Sequence, residues 1–153
     1  MEYQVRAARI TDIERLVALG DGAIPPGSSR GTLDAADLLR QLVYLPQASV
    51  LVVEARREIA GGAVLALRPS VRAGGYVGTV DLLVVDPAHD AERVTDALLD
   101  EVLRSAGNKG CTVVEAVRPG DPAERTRWER HGFVEAGPYI QRPVAARTAG
   151  RRG

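Results

Sequence analysis

The stretch Val80-Asp-Leu-Leu-Val-Val-Asp-Pro-Ala-His-Asp-Ala-Glu-Arg-Val-Thr-Asp-Ala-Leu-Leu-Asp-Glu-Val-Leu103 decides the fold. A run of apolar and β-branched residues is stopped by Pro87, which cannot donate to a sheet ladder. A short polar loop follows. Apolar residues then recur at helical spacing, with Val94, Ala97, Leu98 and Val102 on one face. The pattern predicts a strand over 78–85 and a helix over 91–105. A strand running through a tight loop into a helix is the layout of a phosphate-binding unit, because the helix start presents free amides and a positive dipole end. Such loops normally use glycine so that the backbone can approach the anion, and this loop has none.

Working outward, Thr112 to Val117 reads as a further strand, so the helix is a crossover and the strands it joins run parallel if they share a sheet. Upstream, Tyr3 to Arg6 alternates as a short strand, and Thr11-Asp-Ile-Glu14 reads as a capping box opening a helix with Ile13, Leu16 and Val17 on one face. Gly20 to Gly31 is a Gly/Pro/Ser-rich loop. A second helix starts near Asp34, carries Leu38, Leu39, Leu42 and Val43, and ends before Pro46. Ser49 to Ala55 and Ile59 to Leu67 are strands joined by a turn at Arg56-Arg57-Glu58, and Pro69 to Gly75 is a longer loop. Asp121-Pro-Ala-Glu124 reads as another capping box, opening a helix that ends at Gly132. Phe133 to Val134 and Tyr139 to Pro143 read as closing strands.

These elements predict an α/β (α+β) fold: a mixed, mostly antiparallel central sheet with one parallel β-α-β crossover and about four helices. The 153 residues suit a single domain, expected over 1–144, with an Arg-rich disordered tail over 145–153. Twenty basic residues balance twenty acidic ones, which argues against nucleic acid or an anionic membrane as partner. The single Cys111 forms no internal disulfide, and no Cys/His cluster suggests a metal site. No signal segment and no apolar run of roughly 18 residues is present, so the expectation is a cytoplasmic monomer or homodimer.

Four segments, in order and at matching spacing, resemble the GCN5-related N-acetyltransferase (GNAT) family. They are Val5-Arg-Ala-Ala-Arg-Ile-Thr-Asp12, the strand–turn–strand from Val50 to Gly62, Leu83-Val-Val-Asp-Pro87, and Trp128-Glu-Arg-His-Gly-Phe133. The resemblance implies a GNAT-like sheet, acetyl-CoA or another acyl-CoA as cofactor, and a small-molecule or peptide amine as acceptor. It also implies site residues. The pantetheine arm would pair with Leu83, Val84 and Val85, and the pyrophosphate would meet the loop carrying His89, Ala91, Arg93, Val94 and Thr95. In the family that loop reads x-x-Arg/Gln-Gly-x-Gly-x-Gly/Ala after the proline. Here Asp90 replaces the basic or amide residue, and Ala91, Arg93 and Thr95 stand at the three small positions. Cofactor binding is therefore expected to be weakened or lost, with Asp90 and Glu92 opposing an anion and acting as an N-cap and a first-turn acid.

The resemblance also places an acidic base at Asp81. Its usual acid, a tyrosine, is replaced by Trp128, whose N–H is no useful acid, leaving Tyr139 as the favoured substitute ahead of Tyr76. Two functions follow: an N-acetyltransferase that transfers an acyl group to an amine by direct attack, or a catalytically inactive member of the same fold that binds a protein partner or small ligand.

Overall fold

The computed structural model describes residues 2–20, 34–137 and 142–143. Residues 21–31 of the loop expected over 20–31, Tyr139 and the tail over 145–153 lie outside the described residues.

Strand β1 (Gln4–Ala7) leads into a 3₁₀ turn (Ile10–Asp12) and helix α1 (Ile13–Leu19). Thr11 does not cap this helix. Instead the Asp12 carboxylate reaches back to accept the Arg9 backbone N–H at 2.8 Å, so the cap sits at Arg9, two residues earlier than the sequence suggested. Helix α2 (Ala35–Tyr44) is capped by Asp34, which accepts from the Asp37 N–H at 2.8 Å. Strands β2 (Ala48–Ala55) and β3 (Glu58–Ser70) follow, joined through Arg56 and Arg57, which take positive φ of 52° and 67°. Positive φ at both positions is what a two-residue hairpin needs to match the twist of its strands. Strand β4 (Gly75–Val85) begins earlier than expected, so the loop read at Pro69–Gly75 shrinks to a turn. Helix α3 (Ala91–Asn108), strand β5 (Cys111–Ala116) and helix α4 (Pro122–Glu129) complete the order. At α4 the expected capping box does not form: Asp121 makes no side-chain cap, and Glu124 pairs with Arg127. Phe133 and Val134, read as part of a closing strand, are not in a strand.

The sheet runs β1-β2-β3-β4-β5, antiparallel throughout except for the parallel β4–β5 pair. The crossover expected from Val80 to Leu103 is therefore present. Alternation along the strands sends side chains to two separate cores. Leu51, Val53, Leu65 and Val80 meet Val94, Leu98, Leu99 and Val102 of α3, with Trp128 of α4. Val50, Val52, Val64 and Val84 meet Ile13 and Leu16 of α1 and Leu39 of α2. Two glycines allow the helices this close. A Cβ on Gly61 would lie 2.6 Å from the Val84 carbonyl oxygen and 2.8 Å from Val94 Cγ1, and one on Gly62 would lie 2.3 Å from Leu16 Cδ2.

Two features of β4 position the site. Pairing with β3 jumps from Val80↔Leu65 to Leu82↔Val64, which leaves Asp81 as the extra residue of a β-bulge. The ladder to β5 ends at Val80↔Ala116. From Asp81 onward β4 keeps β3 on one side and has no described strand on the other.

Candidate active site

Asp81 stands where β4 and β5 part. Its side chain is exposed, and it forms no ion pair among the described residues. Beyond it, the side chains of Leu83 and Val85 pack toward α3 and those of Leu82 and Val84 toward α1 and α2. What this segment offers a ligand is its backbone, an open row of N–H and C=O groups such as a strand edge presents. The three residues assigned to the pantetheine arm are thus together on one open edge, which begins at the assigned base.

The loop after β4 is built from its own side chains. The Asp86 N–H donates to Ala60 O at 2.8 Å, its carboxylate accepts the Ala88 N–H at 2.9 Å, and its carbonyl accepts the His89 N–H at 2.9 Å. Arg15 pairs with the same carboxylate. The Tyr3 hydroxyl accepts the Asp90 N–H at 3.3 Å. Asp90 Oδ1 accepts the N–H groups of Glu92 at 3.1 Å and Arg93 at 3.3 Å, and its carbonyl accepts from Val94 at 2.9 Å. Every amide from Ala88 to Val94 except that of Ala91 therefore has a partner within the described residues. The helix start that would cradle an anion holds its own carboxylate.

The other assigned loop residues turn away from that point. His89 is half-buried, with 9% of its side chain exposed; its Nδ1 lies 3.3 Å from the Tyr3 hydroxyl, and its Nε2 lies 3.8 Å from Glu58. The Arg93 guanidinium lies over the Tyr3 ring, 5.1 Å from its centroid, a cation–π contact. Val94 and Thr95 are fully buried, and the Thr95 hydroxyl has no hydrogen-bond partner among the described residues. Ala91 is half-buried at the first helical position. Tyr3 is the residue that sequence reasoning missed. It braces the loop from 86 residues away in the chain, and nothing in its local sequence marks that role.

The charge around the helix start is mostly negative. Glu92 accepts from Arg130 at 3.0 Å, and Asp96 lies between Arg130 and His131, with His131 Nε2 at 2.8 Å. Asp100 lies 3.3 Å from the other ring nitrogen of His131. The hydrogen bond from Arg130 to Glu92 holds that guanidinium firmly charged, aided by Asp96. A shallow groove of about 280 Å³ runs here, lined by Tyr3, Arg93, Asp96, Ala97 and Asp100; it does not reach Asp81.

Trp128, expected from the sequence to stand at the position of an acid, serves the core. It is 6% exposed and stacks edge-on with Phe133 at 5.0 Å between centroids, and its indole N–H is buried with no acceptor among the described residues. Tyr76 lies five residues before Asp81 on β4, roughly 16 Å away along the strand, so it shares no site with it. Cys111 is partly buried, and burial pushes its thiol up from the ordinary range. Among the described residues no cluster of His, Cys, Asp and Glu could hold a metal ion, and no helix is long and apolar enough to cross a membrane.

Comparison with known proteins agrees with the fold. The model of the Acetyltransferase (GNAT) family matches residues 19–133. No curated protein matches the sequence. Among solved structures, an integron cassette protein from the mobile metagenome of Cole Harbour Salt Marsh is 25% identical with a TM-score of 0.75, covering 94% of this chain and 91% of its own. An acetyltransferase from Trypanosoma brucei is 21% identical with a TM-score of 0.70, covering 94% of this chain and 100% of its own. Glucosamine-6-phosphate N-acetyltransferase from Arabidopsis thaliana is 15% identical with a TM-score of 0.72, covering 95% of this chain and 100% of its own. These likenesses show the shared fold.

Proposed function

The chain belongs to the acetyltransferase (GNAT) family, and from that footing we propose that it transfers an acyl group from acetyl-CoA or a related acyl thioester to an amine by direct attack. The observation that carries this reading is the parting of β4 from β5 at Val80, which leaves an open backbone edge with Asp81 at its origin. A pantetheine arm has two amide groups, and lying along Leu83 to Val85 it would meet this edge as a short strand does, which brings its thioester toward Asp81.

In the reaction Asp81 takes a proton from the acceptor's ammonium group. The freed lone pair attacks the thioester carbonyl, the C–N bond forms, the nitrogen gives up its second proton to solvent, and collapse of the intermediate breaks the C–S bond. The departing thiolate takes up a proton, for which Tyr139 is the proposed donor, since Trp128 is committed to the core and Tyr76 is remote.

The test is steady-state acyl transfer with a panel of amine acceptors, followed by release of free thiol. Asp81→Asn should lower kcat/KM by about 10²–10⁴-fold while the donor KM changes little. An unchanged kcat would remove Asp81 from the mechanism. The second reading, a non-catalytic member that binds a protein partner or small ligand, is favoured by the burial of Trp128 at the acid position. Absence of thiol release with every acceptor would establish it over the first.

A further inference from the structure

We propose that the natural acyl donor is a pantetheine thioester without the nucleotide pyrophosphate: an S-acyl pantetheine arm, free or carried on another molecule through a single phosphate. The inference rests on the acyl-transfer reading above and narrows its donor. Two halves of the same surface point in different directions. The edge of β4 from Asp81 to Val85 is open among the described residues and fits a neutral, amide-bearing arm. The loop beyond it, where a pyrophosphate would have to sit, is closed.

That closure is structural as well as electrostatic. The Tyr3 hydroxyl occupies the Asp90 amide, and Asp90 Oδ1 occupies the amides of Glu92 and Arg93. An incoming pyrophosphate would have to displace a carboxylate from the helix start and then remain beside it. Glu92 adds a second negative charge in the same turn. Among the described residues the nearby cations are engaged: Arg93 lies on the Tyr3 ring and Arg130 on Glu92. Arg15, on the other side of the loop, is held by Asp86. Val94 and Thr95 are locked into the core, so the first turn cannot shift to expose a new set of amides without unpacking α3. The donor this surface suits ends, or carries only one phosphate, where coenzyme A continues into ADP.

The experiment is calorimetric titration of the full chain with pantetheine, 4′-phosphopantetheine, dephospho-CoA and CoA, with a fifth arm in which the phosphopantetheine is borne on a carrier protein. Pantetheine and phosphopantetheine should bind at least as tightly as CoA. Asp90→Gly should tighten CoA by about tenfold, the scale of one unit charge removed beside a phosphate, and leave pantetheine within about twofold. Asp90→Asn keeps the cap and removes only the charge, so it tests the electrostatic part in a helix that remains capped; a smaller gain confined to CoA and dephospho-CoA is expected. Tighter binding of the carrier-borne arm than of the free arm would identify the source as a carrier protein, and equal binding a free thioester. CoA binding more than about tenfold tighter than pantetheine in the unmodified chain would overturn the donor assignment and leave acyl transfer standing. No binding in any arm would overturn both.

Discussion

Asp12 does several jobs with one carboxylate. It receives both terminal nitrogens of Arg6, at 2.8 and 3.2 Å, and caps the Arg9 amide, while Arg6 also reaches Glu54 on β2. The hydrogen bonds from Arg6 hold the Asp12 carboxyl below its usual range, against an opposing push from burial. A carboxyl whose folded value is depressed contributes fully above its unfolded value, about 3.9 for aspartate, and that contribution is lost as the pH falls through the lower folded value. Asp12→Asn should therefore cost about 1.5–3 kcal/mol at neutral pH in urea denaturation and flatten the acid limb of the stability profile. A cost under about 0.5 kcal/mol would mean that the cluster is decorative. The residue scale is also where the sequence was least legible. Arg6 and Asp12 lie in a quoted motif, yet Glu54 joins them only through the β1–β2 pairing, and Tyr3 meets His89 and Asp90 only once the sheet is formed. Asp90 was readable as an N-cap because that role depends on its immediate neighbours.

Elements were legible where periodicity and punctuation agreed. The α3 stripe and the proline before it gave the crossover, and the β-branched runs gave β2 and β3. Misreadings came where a local motif had a distant competitor. Thr11 and Asp121 had the right spacing for capping boxes, but Asp12 found Arg6 and Arg9, and Glu124 found Arg127. The β2–β3 hairpin shows how a tertiary fit can override local preference. Arginine is a poor choice at positive φ, where a Cβ costs roughly 1–2 kcal/mol per residue, and the turn holds two in succession. Replacing Arg56-Arg57 with Asn-Gly should raise stability by about 1 kcal/mol, read as a higher denaturation midpoint at unchanged slope. A lower midpoint would show that the arginine side chains hold the hairpin by contacts of their own.

On the scale of the whole molecule, one sheet separates two cores that share no helix. Ile13→Val on the α1 side should cost about 0.5–1.5 kcal/mol, and Leu98→Ala on the α3 side about 2–5 kcal/mol, since both are fully buried. The double variant should match their sum within about 0.5 kcal/mol, because β2, β3 and β4 lie between the two sites. A larger departure, measured in a double-mutant cycle, would mean that the sheet transmits strain from face to face. The parallel β4–β5 pair followed from chain order alone, but the point where the two strands part did not. That point adjoins a bulge at Asp81, and a bulge is set by which residues pair across strands rather than by any residue's own preference.

The self-capped loop has a consequence in time as well as in charge. A glycine-rich loop waits loosely for its anion and surrenders its freedom at the moment of capture, so each encounter carries an ordering cost. Here Tyr3, Asp86 and Asp90 have already taken that freedom while the chain folded. The loop is a finished surface before any donor arrives. Whatever docks beside it meets a fixed wall, and the adaptation falls to the visitor.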